Sequence, residues 1–326
     1  MPVRDRYIAD RATFLKSLET PFDPRLTPAR EDIAPLHYRT QIPAEKYVVG
    51  TNMVCTAPVT AIKGQPDDNA MTISQLLYGE RLTVYENHQG WSFIQASHDD
   101  YVGYVKTDAL SDQICDHNVM VSTPLTHANV EPDIKSSKLT PLVLNSLLKK
   151  TKNEHKGYVE TNAGWIKKLH LRDIDQRCSL TPVDMAESFI NTPYLWGGRT
   201  WMGIDCSGLA QTSLMACGFA CPRDSDLQQQ VLGTTIADAT SDALTMPETM
   251  NTDTINAMIA SLDLKRGDLV FFPGHVGFMT DERHLLHANA THMKTVIEPL
   301  ADVMARPSAG PSYNHDHTPV TAIKRL

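Results

Sequence analysis

One cysteine and two histidines in the C-terminal half of the chain have the residue types that thiol chemistry requires. Cys206 follows a glycine-rich stretch at 194–199 and falls where a loop is expected to become a helix. Unpaired backbone N–H groups and the positive end of the helix dipole favour an anion there, so we expect the pKa of this thiol to be lowered toward thiolate. The same N–H groups could stabilise the oxyanion that forms when a carbonyl is attacked.

A nucleophilic thiolate needs a base, and the best candidate is His275. The segment 267–279 predicts two strands joined by a tight turn at Pro273-Gly274, with His275 opening the second strand. Alternation places His275 and Gly277 on one face, where the small glycine leaves room for another chain element. His287 lies in the next apolar run, and a hairpin would bring it beside His275. A second imidazole there could orient the first.

The other cysteines and histidines receive structural interpretations. A lone buried cysteine is more often an inert core residue than a catalyst, and the spacing predicts neither a disulfide framework nor a metal site. We therefore expect no metal and no cofactor. His284 and His292 are interpreted as exposed turn or strand-end residues. The cysteines assigned to the structural class are Cys55, Cys115, Cys178, Cys217 and Cys221.

The region ahead of these residues is rich in short β runs. Residues 1–45 are rich in proline and charge, and are interpreted as a leader that wraps the next domain, with a short helix over 12–18. Residues 46–112 contain strand-like runs at roughly ten-residue spacing, which predicts a small antiparallel barrel. Residues 113–175 repeat this texture more weakly. The pairs Gly90-Trp91 and Gly164-Trp165 suggest a duplication of the barrel, although two such pairs could also occur by chance.

Residues 176–326 change to helices followed by strands, which predicts an α+β domain. Thr181-Pro182 has the chemistry of a helix start, and the helix that begins near Cys206 should stop at Gly218. The long insert at 240–263 is interpreted either as a lid over a cleft or as a surface helix over 253–262.

Composition limits the possible partners. The chain has 326 residues with 30 Lys and Arg against 38 Asp and Glu, a formal net charge of −8. This balance argues against nucleic acid and against an anionic membrane surface. No apolar stretch approaches the roughly 20 residues of a membrane span. The N-terminal segment lacks the apolar run of a secretory signal, so a chain that starts natively at Met1 is expected to be cytoplasmic.

Three motifs occur in order: Asp-Cys-Ser-Gly at 205–208, Gly-Asp-Leu with Gly-His-Val-Gly over 267–277, and His287. Together they resemble the NlpC-type papain-like cysteine peptidases of bacterial cell-wall turnover, over about residues 178–326. The runs at 77–80, 90–91 and 101–105 resemble bacterial SH3-like barrels. The resemblance implies a papain-like α+β domain, its cysteine helix packed on an antiparallel sheet, after one or two such barrels.

The resemblance also implies roles for individual residues. Cys206 would be the nucleophile, His275 the general base and His287 the residue that orients it. Tyr194 would lie near the oxyanion, with Asp205 as further support.

The segment Pro-Arg-Asp-Ser at 222–225 resembles the subgroup of γ-D-glutamyl-L-diamino acid endopeptidases that act on free peptides beginning with L-Ala. In that subgroup an Asp and a Ser, with a Tyr from the first barrel, bind the free α-amine of the substrate. The resemblance implies these roles for Asp224, Ser225 and Tyr101, with Ser207 as a further substrate contact. Tyr104 is the rival to Tyr101. The alternative for Asp224 and Ser225 is N-capping of the following helix.

The activity implied is hydrolysis of the γ-D-glutamyl–diamino acid bond in free muropeptides during peptidoglycan recycling. The barrel would block the cleft beyond the amine, so that the enzyme cuts two residues in. Two alternatives use the same Cys-His scaffold: a general cell-wall endopeptidase, and an amidase or acyltransferase. The sequence leaves the oligomeric state and the preferred diamino acid open.

Overall fold

A computed structural model describes residues 22–176, 178–238, 240, 241, 244, 252–306 and 319–326. The predicted leader helix over 12–18 and part of the 240–263 insert lie outside these residues. The described chain forms two compact units. The first contains residues 22–176 together with Trp196–Trp201, and the second contains residues 178–195 and 202–326. The boundary near 177 lies close to the predicted start of the catalytic domain at 176.

The first unit is built from short strands. Its first part contains β1 (Ile33–Pro35), β2 (Lys46–Val48), β3 (Thr51–Cys55), β4 (Val59–Lys63), β5 (Thr72–Leu77), β6 (Arg81–His88), β7 (Trp91–Ala96), β8 (Val102–Lys106) and β9 (Leu110–Ser111). Its second part contains β10 (Val119–Val121), β11 (Leu125–Asn129), β12 (Lys138–Val143), β13 (Leu147–Leu148), β14 (Lys150–His155), β15 (Tyr158–Thr161), β16 (Gly164–Lys167) and β17 (Leu171–Asp173). The strand β18 (Arg199–Thr200) also belongs to this unit.

The same strand order occurs twice along this unit. The first seven-stranded sheet runs β5-β4-β8-β7-β6-β3-β9. The second part runs β12-β11-β16-β15-β14 in one sheet and β13-β10-β17 in another. The two orders coincide when β13 and β14 together take the place of β6. This repetition supports a duplication, while the SH3-like character of the second part stays a prediction.

A lysine stacked on an aromatic ring marks the equivalent positions of the two parts. In the first part Trp91 pairs with Lys106, whose ammonium lies 4.1 Å from the ring centroid. In the second part Tyr158 pairs with Lys167, whose ammonium lies 4.3 Å from the ring centroid. The equivalence suggested by the two Gly-Trp pairs is therefore wrong, because Trp165 lies in β16, the counterpart of β8. The counterpart of Trp91 is Tyr158, so a comparison of residue identities does not show that the two positions are equivalent.

Residues just before the first sheet pack onto it. Strand β1 pairs in parallel with β2, and Ile33 is buried against Phe93 and Val102. The guanidinium of Arg30 lies 4.7 Å from the Phe93 ring centroid and donates to the Tyr104 hydroxyl at 3.0 Å. The described part of the leader thus covers one face of the strands around Phe93.

The second unit combines five helices with an antiparallel sheet. The helices are α1 (Pro182–Glu187), α2 (Cys206–Ala216), α3 (Ser225–Val231), α4 (Thr252–Ser261) and α5 (Leu300–Met304). The strands are β19 (Gly203–Ile204), β20 (Thr234–Asp238), β21 (Leu269–Phe272), β22 (His275–Met279), β23 (His284–Asn289), β24 (Lys294–Pro299) and β25 (Ala322–Arg325). Six of them form the sheet β20-β25-β21-β22-β23-β24.

Local sequence chemistry explains where the helices of this unit begin. Thr181 and Asp184 form a reciprocal capping box around Pro182, as the sequence predicted. Helix α2 ends at Ala216, with Cys217 as its C-cap, and Gly218 follows with a φ of +86°. Helix α2 contacts α1 on one side and strands β22 and β23 on another, so a helix start and two strands meet.

The described part of the insert contributes to the core. Helix α4 matches the helix predicted over 253–262, but it is not simply a surface helix. Ile255 and Ile259 are buried, and they join a cluster that includes Leu285 of β23 and Leu300 of α5. Burial of these apolar side chains favours an interpretation of α4 as a core element rather than as a lid.

Candidate active site

The site begins at the first turn of helix α2. Cys206 is the first helical residue, and its side chain is 7% exposed. The N-cap is Asp205, whose Oδ1 accepts the backbone N–H of Gly208 at 2.7 Å. Cys206 Sγ lies 4.0 Å from the carbonyl oxygen of Gly274. The backbone N–H of Val276 donates a hydrogen bond to the same sulfur. These two residues flank His275, so the thiol lies at the start of strand β22.

Burial decides the protonation state of the resting thiol. Removal from water, together with the nearby carboxylate of Asp205, raises the pKa of Cys206 to about 12. The backbone N–H groups of Val276 and Ser207 oppose this shift but do not overcome it. The prediction that the helix start lowers this pKa is therefore wrong, because the desolvation of a buried thiolate outweighs the favourable N–H groups.

A buried ion pair supports the helix start. Arg223 Nη2 lies 2.5 Å from Asp205 Oδ2, and Arg223 Nη1 donates to the Ser207 hydroxyl at 2.7 Å. Both partners of the ion pair are buried. In the sequence Arg223 stands out only as part of the 222–225 motif, and its ion pair with Asp205 was not predicted. A fully buried arginine signals a partner carboxylate, but its identity required the tertiary structure.

The two predicted histidines are hydrogen-bonded neighbours. His275 opens β22 directly after the Pro273-Gly274 turn, and His287 lies on β23. His275 Nε2 and His287 Nδ1 are 2.7 Å apart. The hairpin prediction is thus confirmed in its register. The pairing leaves Nδ1 of His275 as the ring nitrogen that is not engaged by His287.

Gly277 provides the space for this pairing. A Cβ on Gly277 would lie 2.8 Å from Leu285 Cγ and 3.0 Å from His287 Cβ. Contacts this short require the neighbours to move. The small residue predicted beside His275 therefore allows His287 to approach.

A carboxylate continues the hydrogen-bonded series beyond His287, and the sequence analysis missed it. Glu298 Oε1 lies 2.7 Å from His287 Nε2. Arg306 Nη1 donates to the same oxygen at 2.8 Å, and Arg306 Nη2 pairs with Oε2. His292, interpreted from the sequence as only an exposed residue, is 40% exposed and has Nε2 3.2 Å from Glu298 Oε2. The sequence signal that could have indicated this residue is a single carboxylate, Glu298, in the strand that follows His287.

Both imidazoles are neutral at neutral pH. Burial, together with the neighbouring His287, lowers the pKa of His275 to about 3. Burial also lowers the pKa of His287, against the opposing effect of Glu298. The carboxyl of Glu298 is ionised: burial opposes this, but hydrogen bonds from His287 and Arg306 hold its pKa well below the usual range. A neutral His275 can accept a proton from a neutral thiol.

Tyr194 lies in the electrostatic neighbourhood of the thiol. Burial raises the pKa of its hydroxyl, and the nearby Cys206 and Asp205 raise it further through electrostatic repulsion of a tyrosinate. Its backbone N–H donates to the Met293 carbonyl at 2.9 Å, and the residue bridges to Ile204. Tyr194 therefore carries a protonated hydroxyl that can donate a hydrogen bond.

Asp224 and Ser225 lie at the start of helix α3. Asp224 occupies the N-cap position and Ser225 is the first helical residue, and both are partly exposed. Within this fully described segment, no capping hydrogen bond joins the Asp224 side chain to the first turn. The capping alternative for Asp224 is therefore wrong in this structure.

Tyr101 and Tyr104 belong to the first unit. Tyr101 immediately precedes β8, is buried, and donates its backbone N–H to Asp99 Oδ1 at 3.1 Å. Tyr104 lies within β8, with its ring centroid 5.3 Å from that of Phe93. Its hydroxyl accepts from Arg30, which engages this tyrosine with the leader.

The described residues contain neither a metal-binding cluster nor a membrane-spanning helix. No group of three or more histidine, cysteine, aspartate or glutamate residues there has the arrangement of a metal site. Within the same residues, no helix has both the length and the apolar character needed to cross a membrane.

Comparisons with known proteins identify two domains. Residues 191–308 match the NlpC/P60 family, and residues 64–110 match the bacterial dipeptidyl-peptidase Sh3 domain. A solved NlpC/P60 family protein from Bacillus cereus shares the fold, with a TM-score of 0.62 at 18% identity. That similarity covers 84% of this chain and 99% of the other.

Two curated relatives carry names of peptidases. Dipeptidyl-peptidase 6 of Lysinibacillus sphaericus is 25% identical over 299 residues, covering 84% of this chain and 99% of the relative. Gamma-D-glutamyl-L-lysine dipeptidyl-peptidase of Bacillus subtilis is 26% identical over 245 residues, covering 67% of this chain and 72% of the relative. The domain matches and the names of these relatives support a hydrolase. More particularly, the chain contains an NlpC/P60 domain and a bacterial SH3 domain, which confirms the resemblance seen in the motifs.

Proposed function

We propose that Cys206, His275 and His287 form the catalytic centre of a cysteine peptidase. The observation that carries this proposal is the position of the Cys206 thiol between Gly274 and Val276, on either side of a histidine paired with a second histidine at 2.7 Å. In this proposal Cys206 is the nucleophile, His275 is the general acid and base, and His287 orients it.

The protonation states support a concerted attack. Cys206 Sγ attacks the carbonyl carbon of the scissile amide as its proton passes to His275 Nδ1. The C–N bond then breaks, and His275 returns the proton to the leaving amine. In the second half a water gives a proton to His275 while its oxygen bonds to the acyl carbon. The C–S bond breaks, the acid leaves, and the sulfur recovers its proton.

The start of helix α2 is suited to the oxyanion of each tetrahedral intermediate. Backbone N–H groups in the first turn of a helix are available donors, and the helix dipole favours negative charge there. The protonated Tyr194 hydroxyl is a further donor, and Asp205 holds the first turn through the N–H of Gly208. Ser207, whose hydroxyl accepts a hydrogen bond from Arg223, is proposed as a substrate contact at this turn.

The substrate class is proposed as free peptides that begin with L-Ala-γ-D-Glu followed by a diamino acid. The names of the Bacillus relatives support the γ-D-glutamyl bond as the point of cleavage. The partly exposed carboxylate of Asp224, at the start of helix α3, is the group proposed to pair with the substrate ammonium, because charge-assisted bonds to a carboxylate are the strongest that an ammonium forms. Ser225 and Tyr101 would supply further hydrogen bonds to that ammonium.

A requirement for a free amine would also favour a particular place of action. In intact cell wall the L-Ala amine is amide-linked to the glycan, so an enzyme that binds the ammonium acts only on released peptides. The proposal therefore includes a cytoplasmic role in muropeptide recycling, without a cofactor.

The test compares one peptide in two forms. L-Ala-γ-D-Glu-L-Lys and its N-acetyl derivative are incubated with the full chain, and the products are identified by mass spectrometry. We expect release of L-Ala-γ-D-Glu from the free peptide only, and no product with Cys206→Ala. Equal cleavage of both forms would favour a general wall endopeptidase. Release of L-Ala alone, or transfer of an acyl group to an added amine, would favour the amidase or acyltransferase alternative.

A further inference from the structure

We propose that Glu298, held by Arg306, is a positioning residue that fixes the tautomers of both histidines and so makes His275 Nδ1 the basic nitrogen. This inference deepens the proposed function and rests on its assignment of His275 as the base. The residues lie in one unit, on strands β22, β23 and β24 and at the end of helix α5.

The carboxylate of Glu298 determines which nitrogen of His287 carries the proton. An ionised carboxylate only accepts hydrogen bonds, so the 2.7 Å contact between His287 Nε2 and Glu298 Oε1 requires the proton on Nε2. A neutral imidazole carries one ring proton, which leaves a lone pair on His287 Nδ1. That lone pair faces His275 Nε2 at 2.7 Å, so His275 Nε2 must be the donor. His275 Nδ1 then carries the lone pair that accepts the thiol proton.

The site also contains a competitor for His287. Asn289 Nδ2 lies 2.9 Å from His287 Nε2, and its amide is held in this direction because Oδ1 accepts the backbone N–H of His292 at 2.8 Å. If Asn289 donated to Nε2, the proton of His287 would move to Nδ1. His275 would then have to accept at Nε2 and carry its proton on Nδ1, and it could not act as the base.

The charge of Glu298 decides between these two arrangements. A lone pair on His287 Nε2 would face a carboxylate oxygen at 2.7 Å, which is repulsive, whereas an N–H there makes a charge-assisted hydrogen bond. Such bonds are about twice as strong as the neutral bond that Asn289 offers. Arg306 contributes two contacts to the carboxylate, which keep it ionised and fix its direction. His292, on the solvent side, is the other titratable group that faces Glu298.

Replacing Glu298 with glutamine should reverse the donor and acceptor roles in the hydrogen bonds from residue 298 through His287 to His275, without a change in side-chain size. Arg306 and Asn289 present only N–H donors to this position, and the half-exposed His292 Nε2 lies farther away, 3.2 Å from Oε2. The new amide N–H groups therefore meet an acceptor most readily at His287 Nε2. Accepting there moves the His287 proton to Nδ1 and the His275 proton onto the nitrogen needed for catalysis. The Glu298→Asp variant retains a group that only accepts, so it should retain the tautomers.

The experiment reads the tautomers directly by NMR of protein labelled with ¹⁵N-histidine. The full chain is compared with Glu298→Gln, Glu298→Asp and the control Glu187→Gln. Glu187 is a suitable control because it forms an ion pair with Arg266 at 2.7 Å at a distance from the histidines in the same unit. Signals are assigned through their loss in His275→Asn and His287→Asn. We expect Nε2–H at both histidines in the native chain, Glu298→Asp and Glu187→Gln.

In Glu298→Gln we expect His287 to shift to Nδ1–H, and kcat to fall at least about 100-fold, the lower end of the range for proton-transfer catalysis. KM should stay within about twofold, because no substrate contact changes. If His287 keeps Nε2–H in Glu298→Gln, the inference is overturned whatever happens to kcat. If Glu298→Gln does not fold, Arg306→Gln is measured instead. Native tautomers together with an unchanged kcat in Arg306→Gln would overturn the inference.

The readout separates this inference from the proposed function. The tautomers are measured without substrate, so they can be as expected even if no muropeptide is cleaved. In that case the proposed function fails while the positioning by Glu298 stands.

Discussion

The guanidinium of Arg223 and the carboxylate of Asp205 form a buried ion pair at 2.5 Å directly behind the first turn of the cysteine helix. Through its other oxygen Asp205 accepts the Gly208 N–H and caps that helix. One carboxylate thus positions the thiol-bearing turn while its charge is compensated from the following loop. The same charge contributes to the raised pKa of Cys206.

Removing the guanidinium should destabilise the second unit. Arg223→Met leaves Asp205 buried without its compensating charge, and breaking a buried pair in this way costs about 3–5 kcal/mol. The free energy of unfolding in urea measures the effect. Arg266→Met is the control, because Arg266 pairs with Asp184 and Glu187 at a partly exposed site. Its loss should cost about 1 kcal/mol or less. Equal losses in the two variants would contradict the structural role of Arg223.

The reactivity of Cys206 should depend on pH as that of a thiol and not as that of a preformed thiolate. With the pKa near 12 and the pKa of His275 near 3, the thiol and imidazole are both neutral between these values. The rate of alkylation by iodoacetamide, followed by mass spectrometry of the Cys206 peptide, should therefore rise about tenfold per pH unit through the neutral range. A pH-independent rate below about pH 7 would indicate a thiolate–imidazolium pair instead.

Asp224→Asn should separate amine binding from helix stability. The substitution removes the charge that would face the substrate ammonium, so kcat/KM for the free peptide should fall about 10- to 100-fold. The free energy of unfolding should change by no more than about 1 kcal/mol, because Asp224 is partly exposed and charge interactions at such sites are weak. Asp226→Asn, in the first turn of the same helix, is the matched control and should retain kcat/KM. Similar losses in both variants would argue against specific binding by Asp224.

Adding one methyl group at Gly277 should disturb the histidine pair. In Gly277→Ala the new Cβ would lie 2.8 Å from Leu285 Cγ and 3.0 Å from His287 Cβ. We expect the free energy of unfolding to fall by about 1–3 kcal/mol, the usual cost of overpacking, and kcat to fall as His287 is displaced. Gly64→Ala is the control, since its Cβ would approach only Ile73 Cγ2, at 3.8 Å. Unchanged kcat in Gly277→Ala would show that the pair tolerates displacement.

Features set by neighbouring residues in the chain could be predicted. The helix start at Cys206, the turn at Pro273-Gly274 and the register that joins His275 to His287 all depend on segments fewer than about twenty residues long. Turn chemistry and strand alternation act over that distance, so the sequence carries them explicitly. The capping box at Thr181 belongs to the same class.

Features that depend on distant parts of the chain could not be predicted in the same way. Strand β25, near the end of the chain, inserts between β20 and β21, which no local pattern indicates. Arg223 and Glu298 became part of the site only when separate elements brought carboxylates and guanidinium groups together. The counterpart of Trp91 in the second part of the first unit proved to be Tyr158, because strand order is kept where residue identity is not.

The sequence alone determined which residues can perform the chemistry, since a nucleophilic thiol and imidazole bases are properties of residue type and local position. The tertiary structure decided their protonation. The backbone N–H groups at the helix start favour a thiolate, but burial of Cys206 excludes the water that would stabilise it, and burial is a property of everything packed around the residue. For the same reason His275 is held neutral, so the thiol that was predicted to shift toward thiolate is a neutral group next to a neutral base.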